Sequence, residues 1–174
     1  MAEQLSVKSL EPTNGAQHDA MPDLVGVTSW TAISSSDEFY LAWGLNNGSL
    51  VLAQFNGPQA GIAVRRKFRD QKIVGVPYKM QHFVHNRFLW LVVAYETRGD
   101  PKDAFKIAVY QINGTVFKRR QELVHDTDKS RMDMDILQTK GSTFMAMGVG
   151  SEVRLSLCRC THALVNHCRS LVAH

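Results

Sequence analysis

The chain repeats itself with a period near 50 residues, and no other feature narrows its folds as much. "VGVTSWTAISSSDEFYLAWG" begins at Val25 and "VGVPYKMQHFVHNRFLWLVVA" begins at Val74, 49 residues later, with Phe39 and Phe88 at the same offset. A third copy, "MDILQTKGSTFMAMGVG", carries Phe144, 56 residues after Phe88. Each copy has an apolar approach segment, a short polar turn and a Phe-led apolar segment. The other half of the unit repeats too: "LVLAQFNGPQAGIAVRRKF" parallels "IAVYQINGTVFKRRQEL", with Asn56-Gly57 standing 57 residues before Asn113-Gly114. The wider spacing comes from "ETRGDPKDA", Glu96 to Ala104, in place of the "LNNGS" turn of the first copy. Loops are where repeat proteins tolerate extra residues.

Each segment is of strand length, alternates apolar with polar residues and is rich in β-branched and aromatic side chains. Helical periodicity is confined to "THALVNHCRSLVAH" at the C-terminal end. Asn-Gly between two alternating runs predicts a type I′ hairpin, because both central residues of that turn take positive φ. Four short antiparallel strands per unit are the content of one β-propeller blade. The inner strands are expected to be the most apolar, with "FLWLVVAY" and "FYLAWGL" in that place. The expected fold is therefore all-β, with antiparallel four-stranded blades of β-propeller type, about three of them, in an incomplete, open ring. Residues 1–23, polar and without a period, read as a flexible leader, 24–158 as the repeats and 159–174 as an irregular or helical tail. Open blades expose strand edges, through which self-association is expected.

Composition removes several classes of function. A hydrophobic share of 44% and a charged share of 21% over 174 residues are those of a globular domain with a real core. No apolar run approaches the roughly 18 residues of a transmembrane helix. A net charge of +4 is a mild bias towards acidic partners and does not suggest nucleic acid. The first residues lack the basic-then-apolar pattern of a secretory signal, as expected of an intracellular chain or of one without its natural start. Cys158, Cys160 and Cys168 all lie near the C-terminal end, so no disulfide framework holds the repeats.

The stretch "VYQINGTVFKRRQELVHDTDKSRMDMDILQTKGSTFMAMGVG" resembles the epilepsy-associated repeat, also called the epitempin repeat. Tyr110, Asn113, Gly114, Phe117, Gln121 and Phe144 carry the match, and Ala94 and Tyr95 close the preceding copy. It extends over about Val25 to Cys158, roughly two and a half copies. The resemblance implies a seven-bladed propeller in an extracellular or secreted protein that binds other cell-surface or secreted proteins, with no cofactor. Seven copies at this period need more than about 300 residues, so this chain holds only about three. It departs from the family pattern at Ala63-Val64-Arg65-Arg66, where a Phe strand is expected, and after Cys158. An alternative is a structural component of an extracellular matrix or coat, assembled through open blades.

Several short motifs remain. Asn47-Gly48-Ser49 and Asn113-Gly114-Thr115 match the N-glycosylation acceptor, and both are also turn sequences. Arg65, Arg66, Lys67 and Arg69, with Lys118, Arg119 and Arg120, form basic runs at similar places in their units. They read first as a charged edge that discourages strand pairing, and alternatively as a surface for an acidic partner or a sulfated glycan. Arg98-Gly99-Asp100 lies in the longer loop within reach of a receptor, while Gly99-Asp100-Pro101 is turn chemistry. Asp126, Asp128, Asp133 and Asp135 cluster without the glycine and closing glutamate of a calcium loop. Cys158 and Cys160 are too closely spaced for the usual zinc pair, even with His162, His167 and Cys168 nearby. No Gly-x-Ser-x-Gly, phosphate loop or paired nucleophile and base is present, so no catalytic and no metal residue is expected. A hydrolase on this scaffold would need groups such as His82, Asp133 and Asp135 to converge.

Overall fold

A computed structural model describes residues 25–35, 38–56, 62–85, 88–97, 105–114, 116–125, 132–139, 143–149, 152–158 and 168–173, the last two segments by their backbone alone. The leader expected over 1–23, Arg98-Gly99-Asp100, Asp126, Asp128, Cys160, His162 and His167 lie outside the described residues.

Strands β1 (Val27–Ser35), β2 (Glu38–Leu45), β3 (Leu50–Phe55) and β4 (Ile62–Phe68) form the first antiparallel sheet in sequence order. β5 (Val76–His85), β6 (Phe88–Glu96), β7 (Phe105–Asn113) and β8 (Val116–His125) form the second. β9 (Met132–Gln138), β10 (Thr143–Val149), β11 (Glu152–Cys158) and β12 (Cys168–Ala173) form the third. Neighbouring sheets approach each other through β1 with β5 and β5 with β9, the convergence at first strands that a propeller axis produces. The three four-stranded sheets are blades of β-propeller type, and among the described residues they leave the ring open.

The interior consists of two joints. Blade 1 sends Ile33, Ala42, Leu50 and Leu52 against Met80, Leu91, Val93 and Tyr110 of blade 2. On its other face blade 2 packs Phe83, Trp90, Val92 and Val109 against Met132, Met134, Met145 and Met147 of blade 3. Methionine fills irregular gaps between sheets, which suits a joint made by four of them. Two side-chain amides also cross this second joint, Gln81 donating to the Met134 carbonyl at 3.2 Å and Gln138 to the Val84 carbonyl at 2.9 Å.

Strand pairing corrects the repeat offset by one residue. The first hairpins close at Ser35↔Glu38 and His85↔Phe88, and Trp30↔Trp43 corresponds to Met80↔Val93, an offset of 50 throughout. Side chains alternate faces with period two, so one residue matters. Phe39 lies on the open face of blade 1 with Leu41 and Trp43, whereas Phe88 lies with Trp90 on the face towards blade 3. Even the irregularities repeat: the extra residue of the β1 bulge is Thr28 and that of β5 is Tyr78, 50 residues on. The Thr28 hydroxyl meets the Gly44 carbonyl at 3.1 Å and the Pro77 carbonyl at 2.5 Å, tying the first two blades together.

The inner strands named from the sequence are the most apolar ones in blade 2, where Leu91, Val92, Val93 and Ala94 of β6 are wholly buried. They have a strand on either side and a blade against each face. Two further expectations change. The last hairpin of blade 2 closes at Asn113↔Val116, so Asn113 ends β7 and Gly114, at φ 56°, takes the first turn position. The C-terminal residues expected as irregular or helical include strand β12, where Cys168–Ala173 pairs along β11. Cys168–Ala173 pairs residue for residue with Val153–Cys158, and that backbone ladder outweighs a weak helical period. Its register sets Cys158 opposite Cys168.

Candidate interaction surfaces

The outermost strands β4 and β8 carry the basic residues, and the same construction holds both. β4 bulges between its pairings with Leu52 and Ala53, leaving Arg65 as the extra residue, and β8 bulges opposite Val109 and Tyr110, leaving Arg120. Each arginine reaches the glutamine of the adjacent strand: Arg65 Nε donates to Gln54 Oε1 at 2.8 Å and Arg120 Nε to Gln111 Oε1 at 2.7 Å, with the terminal Nη2 sharing each oxygen. A bulge adds local twist and breaks the flat hydrogen-bonding edge. It therefore presents cations at the perimeter while spoiling the edge for strand addition. Arg66, Lys67, Arg69 and Lys118 are exposed beside these pairs. Phe88, Gln111, Asn113, Val116, Lys118 and Arg120 line a shallow cleft of about 300 Å³ at the tip of blade 2.

Arg119 is different from its neighbours. It points into the first joint, with Nε 3.4 Å from Asp70 Oδ2 and Nη1 2.7 Å from Glu122 Oε2. Asp70 sits in the connection from blade 1 to blade 2 and also accepts from the Tyr110 hydroxyl at 3.3 Å, which in turn shares a 3.0 Å hydrogen bond with the Tyr95 hydroxyl. Phe68 stacks on Phe117 with centroids 5.1 Å apart and meets Tyr110 edge-on at 5.7 Å. Burial pushes the Tyr110 and Tyr95 phenols far above the usual tyrosine range, so both stay neutral donors. This network fixes the inter-blade connection and is not a free binding group.

Two of the groups a hydrolase would need, His82 and Asp133, are engaged at different joints. His82 Nδ1 lies 3.1 Å from the Thr31 hydroxyl in the first joint, and burial lowers its pKa. Asp133 belongs to the second joint, where Lys79 Nζ lies 2.6 Å from Oδ1. The Lys79 hydrogen bond leads the effects that hold the Asp133 pKa below the usual carboxylate range. Asp135 accepts from the Ile136 amide at 2.8 Å. Among the described residues, no three His, Cys, Asp or Glu side chains are grouped as metal ligands, and no helix is long and apolar enough to cross a membrane.

Both glycosylation acceptors are exposed asparagines, Asn47 in the β2–β3 loop and Asn113 at the end of β7. Asn47 Oδ1 accepts from the Ser49 amide at 3.0 Å, an Asx turn that closes the β2–β3 loop around Gly48 at φ 82°. Asn113 borders the blade 2 cleft.

Sequence reasoning missed the open face of blade 1. Trp30 is 65% exposed and Phe39 57%, beside a cluster of Trp43, Leu45, Val51 and Ala53. A second cleft of about 290 Å³ opens there between Ala32, Phe39, Leu41 and Phe55. The alternation of β1 and β2 contained the signal, since Trp30, Phe39, Leu41 and Trp43 fall on the face opposite Ile33 and Ala42.

No family model matches the chain, and no curated protein matches it. Among solved structures it is similar to the β-propeller domain of Nup133 from Vanderwaltozyma polyspora, with a TM-score of 0.55 and 8% sequence identity over 94% of this chain and 52% of that one. The likeness is one of fold. The chain spans about half the length of that propeller.

Proposed function

We propose that the chain is a non-enzymatic protein-interaction module that binds an acidic partner through outer strands β4 and β8. The observation that carries this is the repeated bulge, which in two successive blades holds an arginine on a glutamine and leaves Arg66, Lys67 and Lys118 exposed at the perimeter. Guanidinium groups already oriented by an amide lose less freedom on meeting a carboxylate. Propeller architecture adds a rigid support. The engagement of His82 in the first joint and of Asp133 in the second favours binding over catalysis.

The test is binding of a fluorescent peptide alternating Glu and Ser. The wild-type chain binds it with strong salt dependence, and Arg66→Glu/Lys67→Glu/Lys118→Glu weakens it at least about tenfold while the strand spectrum is unchanged. Equal binding by the two proteins would overturn the assignment. The same reading places the partner at the cell surface or among secreted proteins, supported by the epitempin-repeat resemblance and the exposure of Asn47 and Asn113. Expression through a eukaryotic secretory route tests this: enzymatic deglycosylation lowers the apparent mass of the wild type and not of Asn47→Gln/Asn113→Gln.

A further inference from the structure

We propose that the cleft at the tip of blade 2 is an aromatic anchor site, which seats one Phe or Tyr side chain of an acidic partner segment on Phe88 and Val116 while Lys118 and Arg120 take the flanking carboxylates. This rests on the acidic-partner reading above and adds to it the chemistry of the segment that is recognised.

The strand register builds the cleft on one face of the blade. Trp90, Gln111 and Lys118 pair across β6, β7 and β8 and so share a face. Asn113↔Val116 forms the next row towards the tip, with Phe88 one step beyond the Leu89↔Ile112 pair. The bulge adds Arg120, whose Nε and Nη2 meet the Gln111 side-chain oxygen, while the Nη1 donors lie outside that pair. Val116 is 61% exposed and Phe88 38%, and none of the six lining side chains is acidic.

The two blades, set side by side, separate this site from the edge device. Both hold an arginine on a glutamine, as a bulge that spoils the outer edge requires. Phe88 takes the hairpin position of Glu38, and Lys118, opposite Gln111, takes that of Ala63, opposite Gln54. Blade 2 therefore has a ring in place of an acid and an ammonium in place of a methyl. Edge protection needs neither change, whereas an acidic segment with an aromatic residue uses both.

Exposed cations steer an acidic partner, and salt screens their attraction. Apolar contact in a pocket is not screened, and aromatic anchors supply a large share of interface affinity. At about 300 Å³ the cleft is at the small end of ligand sites and suits a single side chain. The cleft on the open face of blade 1 is apolar too, but no charged side chain lines it.

Two fluorescent peptides test the proposal on the full chain: alternating Glu and Ser, and the same sequence with its central Ser replaced by Phe. The wild type binds the Phe peptide about tenfold more tightly, and in about 0.5 M NaCl the preference remains although both affinities fall. Phe88→Ser brings the Phe peptide to the affinity of the Glu-Ser peptide with the strand spectrum intact, and Trp30→Ser keeps the preference. Equal affinity of the wild type for the two peptides overturns the anchor and leaves the acidic-partner reading standing, whereas binding of neither overturns both. A preference that survives Phe88→Ser, or that Trp30→Ser removes instead, also overturns the anchor. So does equal binding of a Phe peptide with Lys at every Glu position. If Phe88→Ser loses its strand spectrum, Val116→Ser decides: a reduced preference supports the site, and an unchanged one contradicts it.

Discussion

Replacing Tyr110 with Phe tests whether the Asp70 network pins blade 1 to blade 2. The substitution removes one oxygen from a fully buried site and keeps the ring that Phe68 and Phe117 pack against. It deletes the 3.3 Å hydrogen bond to the Asp70 carboxylate and the 3.0 Å bond shared with Tyr95. A hydrogen bond to a charged group contributes roughly 1.5–3 kcal/mol net, and Arg119 still neutralises Asp70 at 3.4 Å, so the expected loss is about 2 kcal/mol. For a chain of this size that lowers the thermal midpoint by about 4–8 °C. Circular dichroism melts and urea midpoints at neutral pH read the effect directly. A double-mutant cycle with Tyr95→Phe should give a coupling of about 1 kcal/mol, since each hydroxyl is the other's partner. A midpoint within about 1 °C of wild type, with an additive cycle, would refute the network as the element that fixes this joint.

The first joint also carries two independent tests. A Cβ on Gly44 would overlap the ring of Pro77 and stand 2.6 Å from the Ser29 hydroxyl, so Gly44→Ala should destabilise by about 3 kcal/mol in denaturant melts, although Ala favours strands over Gly. Burial lowers the His82 pKa, so the folded state resists its protonation: stability holds above the ordinary histidine pKa of 6.5 and falls as pH drops through it. His82→Gln, which can still reach the Thr31 hydroxyl, should flatten the urea midpoint between pH 7.5 and pH 5.5, values chosen about one unit either side of that pKa.

Strand content, blade number and the open ring were legible because alternation and turn residues act locally and recur three times. Register was less legible. Aligning Phe39 with Phe88 follows residue identity, whereas the pairing follows the closure of each hairpin, and Phe88 stands where blade 1 has Glu38. The turn after Asn113 shifted for a related reason, since the strand continues through Asn113 to pair with Val116 and the positive φ falls on Gly114. Asp70 within "FRDQK" reads as one more surface charge in the sequence. Its partial burial arises when Tyr110, 40 residues on in the chain, and Arg119 close over the connection. Arg65 and Arg120 were visible as cations, but their common role needed the bulges that align them at an offset of 55.

The central claim is that one four-stranded blade recurs at a structural offset of 50 residues across the first joint. Backbone nuclear Overhauser contacts between opposed strands test it most directly. The structure predicts matched cross-strand contacts for Trp30 with Trp43 and Met80 with Val93, and for Ile33 with Tyr40 and Phe83 with Trp90. Contacts that instead align Lys79 with Val93, or that place β5 anywhere but antiparallel beside β6, would contradict it.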